Sequence, residues 1–118
     1  MQRRDSLKLA DMLRASEVVA TYLHNLDRDD FFSEGIVQDA ILRQLTILGE
    51  AAFKISTELQ ASSSEIPWAK IIGFRHRLLH DYFGLDLDAV WNIASNELPV
   101  LHRQIVSLLA QKFPADAV

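Results

Sequence analysis

Apolar residues recur along this chain at intervals of three and four, the spacing that lines one face of an α-helix. Leu9, Met12, Leu13, Val19, Ala20, Leu23 and Leu26 predict a first amphipathic helix over roughly 5–27, with Asp5 or Ser6 as its N-cap. It ends at the acidic, turn-like stretch Asp27-Arg28-Asp29-Asp30. Ser33 is placed to cap a second helix carrying Ile36, Val37, Ala40, Ile41, Leu45, Ile47, Leu48, Ala51, Ala52, Ile55 and Leu59. At about 27 residues and 1.5 Å per residue, this rod is expected to span roughly 40 Å. Gln44 falls at the centre of its stripe, where an amide needs a hydrogen-bond partner.

The clearest break follows, at Ala61-Ser62-Ser63-Ser64-Glu65-Ile66-Pro67, which reads as a loop between helices. Trp68 to Gly73 is expected to form a short helical turn, and a helix over 74–83 then closes at Gly84. Asp86 or Asp88 can cap a last helix holding Val90, Trp91, Ile93, Ala94, Leu98, Leu101, Ile105, Leu108 and Leu109. Pro99 should kink or split it, because it lacks the amide that bonds four residues back. Fraying is expected beyond Phe113. With no strand pattern and no internal repeat, the economical fold is all-α, an antiparallel bundle of four or five helices forming a single domain over 1–118.

Composition narrows the function classes. At 118 residues and 49% hydrophobic content the chain can bury a core without a staple, and the absence of cysteine removes disulfides, thiolate nucleophiles and cysteine zinc sites together. There is no signal-peptide pattern at the start and no run of about 18 apolar residues, so a cytoplasmic protein without a membrane role is expected. The net charge of −4 argues against indiscriminate binding to polyphosphate. Locally the balance reverses: from Ile66 through His80 the charged residues are Lys70, Arg75 and Arg77, whereas Asp27, Asp29, Asp30 and Glu34 make an acidic corner.

The chemistry concentrates between Gly73 and Gly84. A helix over 71–83 gathers Ile71, Ile72, Phe74, Leu78, Leu79, Tyr82 and Phe83 on one apolar side, with Arg75 in its middle and His76 and His80 at its edge. A guanidinium there must be paired or must face a wet cleft, since breaking a buried ion pair costs about 3–5 kcal/mol. Gln44 is one candidate to face and hold it. Three readings compete. His76 and His80 at i and i+4, with Asp81 as a third ligand, have metal spacing, but no glutamate follows the first histidine and Arg75 and Arg77 add positive charge, so no metal is expected. His80 and Tyr82 can equally be packed, hydrogen-bonded helix residues. Alternatively, His80 moves a proton while Arg75 stabilises a pentacovalent phosphorane, a metal-free nuclease pair. On a continuous helix these two side chains point about 140° apart. A tight site then requires either a distorted helix near Gly84 or a second subunit across the cleft.

The string Arg75-His76-Arg77-Leu78-Leu79-His80-Asp81-Tyr82 fits R-x-x-x-x-H-x-Y and resembles the signature of the HepT family of HEPN-domain proteins. Ile47-Leu48-Gly49-Glu50-Ala51-Ala52, Ile66-Pro67-Trp68 and the stretch from Phe83 to Trp91 agree with it, so the resemblance covers nearly the whole chain. It implies an HEPN-like bundle, usually a homodimer, acting as the toxin of a toxin-antitoxin system and as a metal-independent endoribonuclease on RNA such as tRNA or mRNA. Arg75 and His80 then match the catalytic pair. The implied partner is an MntA-type nucleotidyltransferase antitoxin that uses ATP to attach AMP to Tyr82; the chain itself needs no cofactor. His76 departs from the pattern, in which asparagine commonly follows the arginine, and stands with Asp81 and Gln44 as a supporting residue. The alternative is a non-catalytic nucleotide- or RNA-binding accessory subunit of a nucleotidyltransferase.

Overall fold

The computed structural model describes residues 3–114. It is all-α, as the apolar spacing predicts, with no strand among the described residues. The helices are α1 (Arg3–Leu23), α2 (Arg28–Ser33), α3 (Gly35–Phe53), α4 (Thr57–Ser62), α5 (Trp68–His80), α6 (Leu87–Asn92) and α7 (Leu98–Lys112). A 3₁₀ turn at Tyr82–Gly84 follows α5, and a π-helical turn at Ile93–Glu97 joins α6 to α7. Most of the tail expected to fray lies outside the described residues.

The helices outnumber the predicted four or five because one expected rod is broken and the acidic stretch expected as a turn starts a helix. The 27-residue second helix does not exist. Ser33 ends α2 instead of capping α3, and Asp27 caps α2 through a reciprocal capping box with Asp30. At the other end, α3 stops at Phe53 because Ser56 offers the backbone a competing partner: its Oγ accepts from the Leu59 N–H at 3.2 Å and starts α4. Asp5, expected to cap α1, lies inside that helix and is 2% exposed. Its carboxylate accepts from the Ser56 N–H at 2.9 Å and the Ser56 hydroxyl at 2.6 Å, clasping the α3–α4 corner to α1. Hydrophobic periodicity runs straight through this corner, since Ile55 and Leu59 are both buried.

Pro99 does split the last predicted helix, and Asp86 caps it, accepting from the Asp88 N–H at 2.9 Å. The helix ahead of the proline widens into the π turn before α7 begins. Trp68 to Gly73 is no separate turn but the first half of α5.

α1 packs against both α3 and α7, and α3 against both α1 and α5. Leu9, Met12 and Val19 of α1 meet Ile41, Leu45, Leu48 and Ala52 of α3, with Leu101, Ile105 and Leu108 of α7 in the same core. Principal extents of 42 × 30 × 19 Å make the molecule about two helices thick. One face of α3 consequently stays outside: Ile36, Ile47 and Phe53, the first two counted in the predicted buried stripe, are 84%, 37% and 49% exposed.

Two helical glycines behave oppositely. A Cβ at Gly49 would lie 2.3 Å from the Arg75 Cβ, so the α3–α5 crossing closes only because Gly49 has no side chain. A Cβ at Gly73 would meet nothing within 4 Å, and its φ is not positive. Gly73 therefore costs α5 about 1 kcal/mol relative to alanine with no compensating contact inside the fold. In urea unfolding, Gly49→Ala is expected to destabilise by about 1–3 kcal/mol through overpacking, and Gly73→Ala to stabilise by about 0.5–1 kcal/mol. Equal effects of the two would contradict this packing.

Candidate active site

The helix that carries the R-x-x-x-x-H string is anchored at its start by Trp68, buried with its indole N–H donating to the Ser63 carbonyl at 3.0 Å, and further along by buried Leu78. It ends after His80, short of the expected residue 83. Asp81 leaves helical geometry at φ −147°, ψ 54°, and the chain turns at once into Tyr82–Gly84. The distortion near Gly84 thus begins beyond His80 and leaves Arg75 and His80 on one regular helix, pointing about 140° apart.

Arg75 sits where the apolar side of α5 crosses α3. Its side chain is 20% exposed, and it is paired rather than sealed: Nε donates to Oε1 of Glu50 at 2.6 Å, and the guanidinium lies over the Phe53 ring at 4.6 Å from its centroid. Gln44, proposed from its register to hold Arg75, makes no hydrogen bond to it among the described residues; Glu50 takes that part. Glu50 is four residues before Lys54 on the solvent edge of α3, and the close approach at Gly49 brings it alongside. The Arg75–Glu50 bond engages Nε only, so the terminal nitrogens keep their donors free of partners among the described residues.

His76 and His80 are both exposed, and their rings meet with centroids 4.3 Å apart and planes tilted by 49°. Asp81 is exposed beyond the helix end. Among the described residues no group of three or more histidine, cysteine or acidic side chains is arranged to hold a metal ion. Arg77 and His80 occupy the last turn of α5, where the helix dipole favours positive charge.

Tyr82 does not continue the apolar side of α5, because the helix has already ended. It is 42% exposed, and its hydroxyl donates to Oδ1 of Asp39 on α3 at 3.2 Å. Phe83 next to it is fully exposed and meets the Tyr82 ring edge-on at 5.5 Å. Neither Glu50 nor Asp39 was singled out by sequence reasoning. Both lie on the exposed face of α3 with Arg43 and Phe53, and the signal available was the run of charged positions opposite the apolar stripe, at Asp39, Arg43 and Glu50.

A family model described as Ribonuclease HepT-like matches residues 12–108, a span that contains every residue named in this site. The chain belongs to the HepT-like ribonuclease family. A Thermococcus cleftensis protein named probable ribonuclease HepT is 31% identical to it over 101 residues, covering 86% of this chain and 92% of that protein. A Methanocaldococcus jannaschii protein provisionally named an RNase is 28% identical over 89% of this chain and 97% of its own. Another from that organism, named for a gamma-glutamylcyclotransferase and provisionally for an RNase, is 29% identical over 94% of this chain, which spans only 50% of it. No solved structure matches. Within the HepT-like span, the motif arginine and histidine stand at a helix crossing and a helix end, and the motif tyrosine stands on the turn between α5 and α6.

Burial raises the Tyr82 phenol above its ordinary value of 10.0, and the hydrogen bond to Asp39 and that carboxylate's negative charge add to the shift. The protonated form is favoured by the fold, so its contribution to stability is present below the unfolded-state value and is lost as pH rises through the folded one. Phenolate absorbance followed against pH, with Tyr82→Phe subtracted, should place Tyr82 above a free tyrosine. Asp39→Asn should bring it back down; a titration indifferent to Asp39 contradicts the contact.

Proposed function

We propose that this protein is a metal-independent endoribonuclease and the toxin of a HepT/MntA-type toxin-antitoxin pair. The observation that carries the reading is Arg75: a cation held by Glu50 and Phe53 at a helix crossing, with its phosphate-binding end free, on the same helix as an exposed imidazole. The family membership supports RNA as substrate. In the proposed reaction the 2′-oxygen attacks the adjacent phosphorus, the bond from phosphorus to the 5′-oxygen breaks, and a 2′,3′-cyclic phosphate and a 5′-hydroxyl are left. An imidazole from His80 takes the proton from the 2′-hydroxyl or delivers one to the leaving oxygen, and Arg75 binds the phosphoryl oxygens.

The 140° between Arg75 and His80 favours a composite site in a homodimer, the arginine of one copy facing the histidine of the other. The exposed apolar residues Ile36, Ile47, Phe53, Leu79 and Phe83, around the Arg75–Glu50 pair and beside Tyr82, offer a face for that second copy. His76, whose ring lies against that of His80, would help to orient it.

The same geometry supports neutralisation by a nucleotidyltransferase partner. Transfer of AMP from ATP to the Tyr82 oxygen, with release of pyrophosphate, would set a negative phosphodiester on an exposed ring beside the face of α3 that holds Arg75, competing with RNA phosphate for that arginine. Mass measured after incubation with the partner and ATP should rise by whole adenylyl units, and Tyr82→Phe should show no rise.

Arg75→Ala and His80→Ala should each lose RNA cleavage in EDTA by a factor of about 10²–10⁴. Mixed and allowed to exchange subunits, the two inactive variants should regain part of the activity, since one composite site then holds both intact residues. Undiminished cleavage by either single variant removes the ribonuclease reading. RNA binding without cyclic-phosphate products would point instead to an accessory subunit of a nucleotidyltransferase.

A further inference from the structure

On the side of α5 away from Arg75, the chain encloses a groove of about 790 Å³ that the proposed reaction does not use. Its floor is Leu45 and Leu48 of α3 with Phe74 of α5, and its far wall is the π-helical turn Ile93–Glu97 and the start of α7. The volume lies within the roughly 300–1,000 Å³ of sites for small organic ligands. Three features make it more than a packing defect.

The first is the π turn. On an α-helix Asn92 and Glu97, five residues apart, would diverge by about 140°. A π turn closes on the fifth residue, and here the Asn92 side-chain amide donates to Oε2 of Glu97 at 3.0 Å. The Asn96 side-chain amide in turn donates to Oδ1 of Asn92 at 2.8 Å, and Lys70 from across the groove donates to Oε1 of Glu97 at 2.5 Å. The result is a row of oriented amides and a carboxylate along one lip, all of them lining the groove. The second is Gly73. Its missing side chain serves neither backbone conformation nor a close contact, and it lines the groove, so what it preserves is open space. The third is Arg77, which lines the groove without an ion-pair partner among the described residues and lies one helical turn before His80.

An aromatic floor, donors and acceptors along one lip and an unpaired guanidinium at the rim match an unstacked nucleotide: ring face on Phe74, base edge on the amides, phosphate on Arg77. We infer that the groove between α5 and the π turn binds a ribonucleotide unit, seating a splayed base of the RNA whose neighbouring phosphate lies at His80. This deepens the ribonuclease reading and rests on it only for the source of the nucleotide.

The test uses the full chain and the four nucleoside 5′-monophosphates, which have no internucleotide bond to cut, so binding is read separately from cleavage. In NMR titration at least one of them should saturably shift the Asn92 and Asn96 side-chain amides, with Gly73→Leu and Arg77→Ala each weakening binding about tenfold, or ~1.4 kcal/mol. A Cβ at Gly73 meets nothing within 4 Å, and the Gly73→Leu variant is expected to keep its unfolding midpoint. A 2′-O-methyl trinucleotide that binds more tightly than any mononucleotide identifies the RNA strand as the source, and equal affinity identifies a free nucleotide. No shift with any probe, or binding indifferent to Gly73→Leu, overturns the inference. So does a change of oligomeric mass in Gly73→Leu with nucleotide binding intact, which would assign the groove to contact between copies.

Discussion

Everything in the candidate site depends on how closely α3 and α5 approach at Gly49. Because the position has no side chain, the backbone of α5 can lie near enough for Arg75 to reach past α3 and find Glu50 and Phe53 on its outer edge. A guanidinium in that position would otherwise be a liability. Only 20% of its side chain reaches solvent, and a charge so placed needs a partner to remain. The crossing supplies a carboxylate and an aromatic face together, and in doing so fixes the plane of the guanidinium. Preorganisation of this kind is how a cation can meet developing negative charge without rearranging.

The helical fold was legible because periodicity reports burial, and burial is what α1, α5 and α7 do along one stripe each. It failed where local hydrogen bonding overrode it. Ile55 and Leu59 keep the apolar rhythm across the α3–α4 corner, yet Ser56 redirects the backbone and Asp5, 51 residues earlier, holds it there. No pattern on a single element can announce a bond between distant polar residues. Ile36 and Ile47 misled in the opposite sense: they continue the stripe in sequence but face outward in space. A wheel cannot distinguish a face covered by the same chain from one left bare.

The site shows the same division. The order and spacing of Arg75, His80 and Tyr82 were plain in the sequence, and so was the angular conflict between the first two. The partners that give Arg75 and Tyr82 their environments were not, because they belong to α3. Glu50 and Asp39 are ordinary surface acids by composition, and only the docking of α5 against that helix makes one the counter-ion of Arg75 and the other the acceptor for Tyr82. The π turn was equally hidden: Pro99 foretold an interruption, but not that an extra residue would swing Glu97 beside Asn92.

The bond between Tyr82 and Asp39 makes the tyrosine's resting place depend on a single hydrogen. A phosphodiester formed on that oxygen removes the hydrogen and brings a negative group beside the Asp39 carboxylate, which then has no donor at that position. Attraction becomes repulsion, and the contact that holds the ring against α3 is lost. The Tyr82–Gly84 turn, with Phe83 already bare, would be the piece that yields, so a covalent mark on one side chain would be written into the backbone conformation of the connection between α5 and α6.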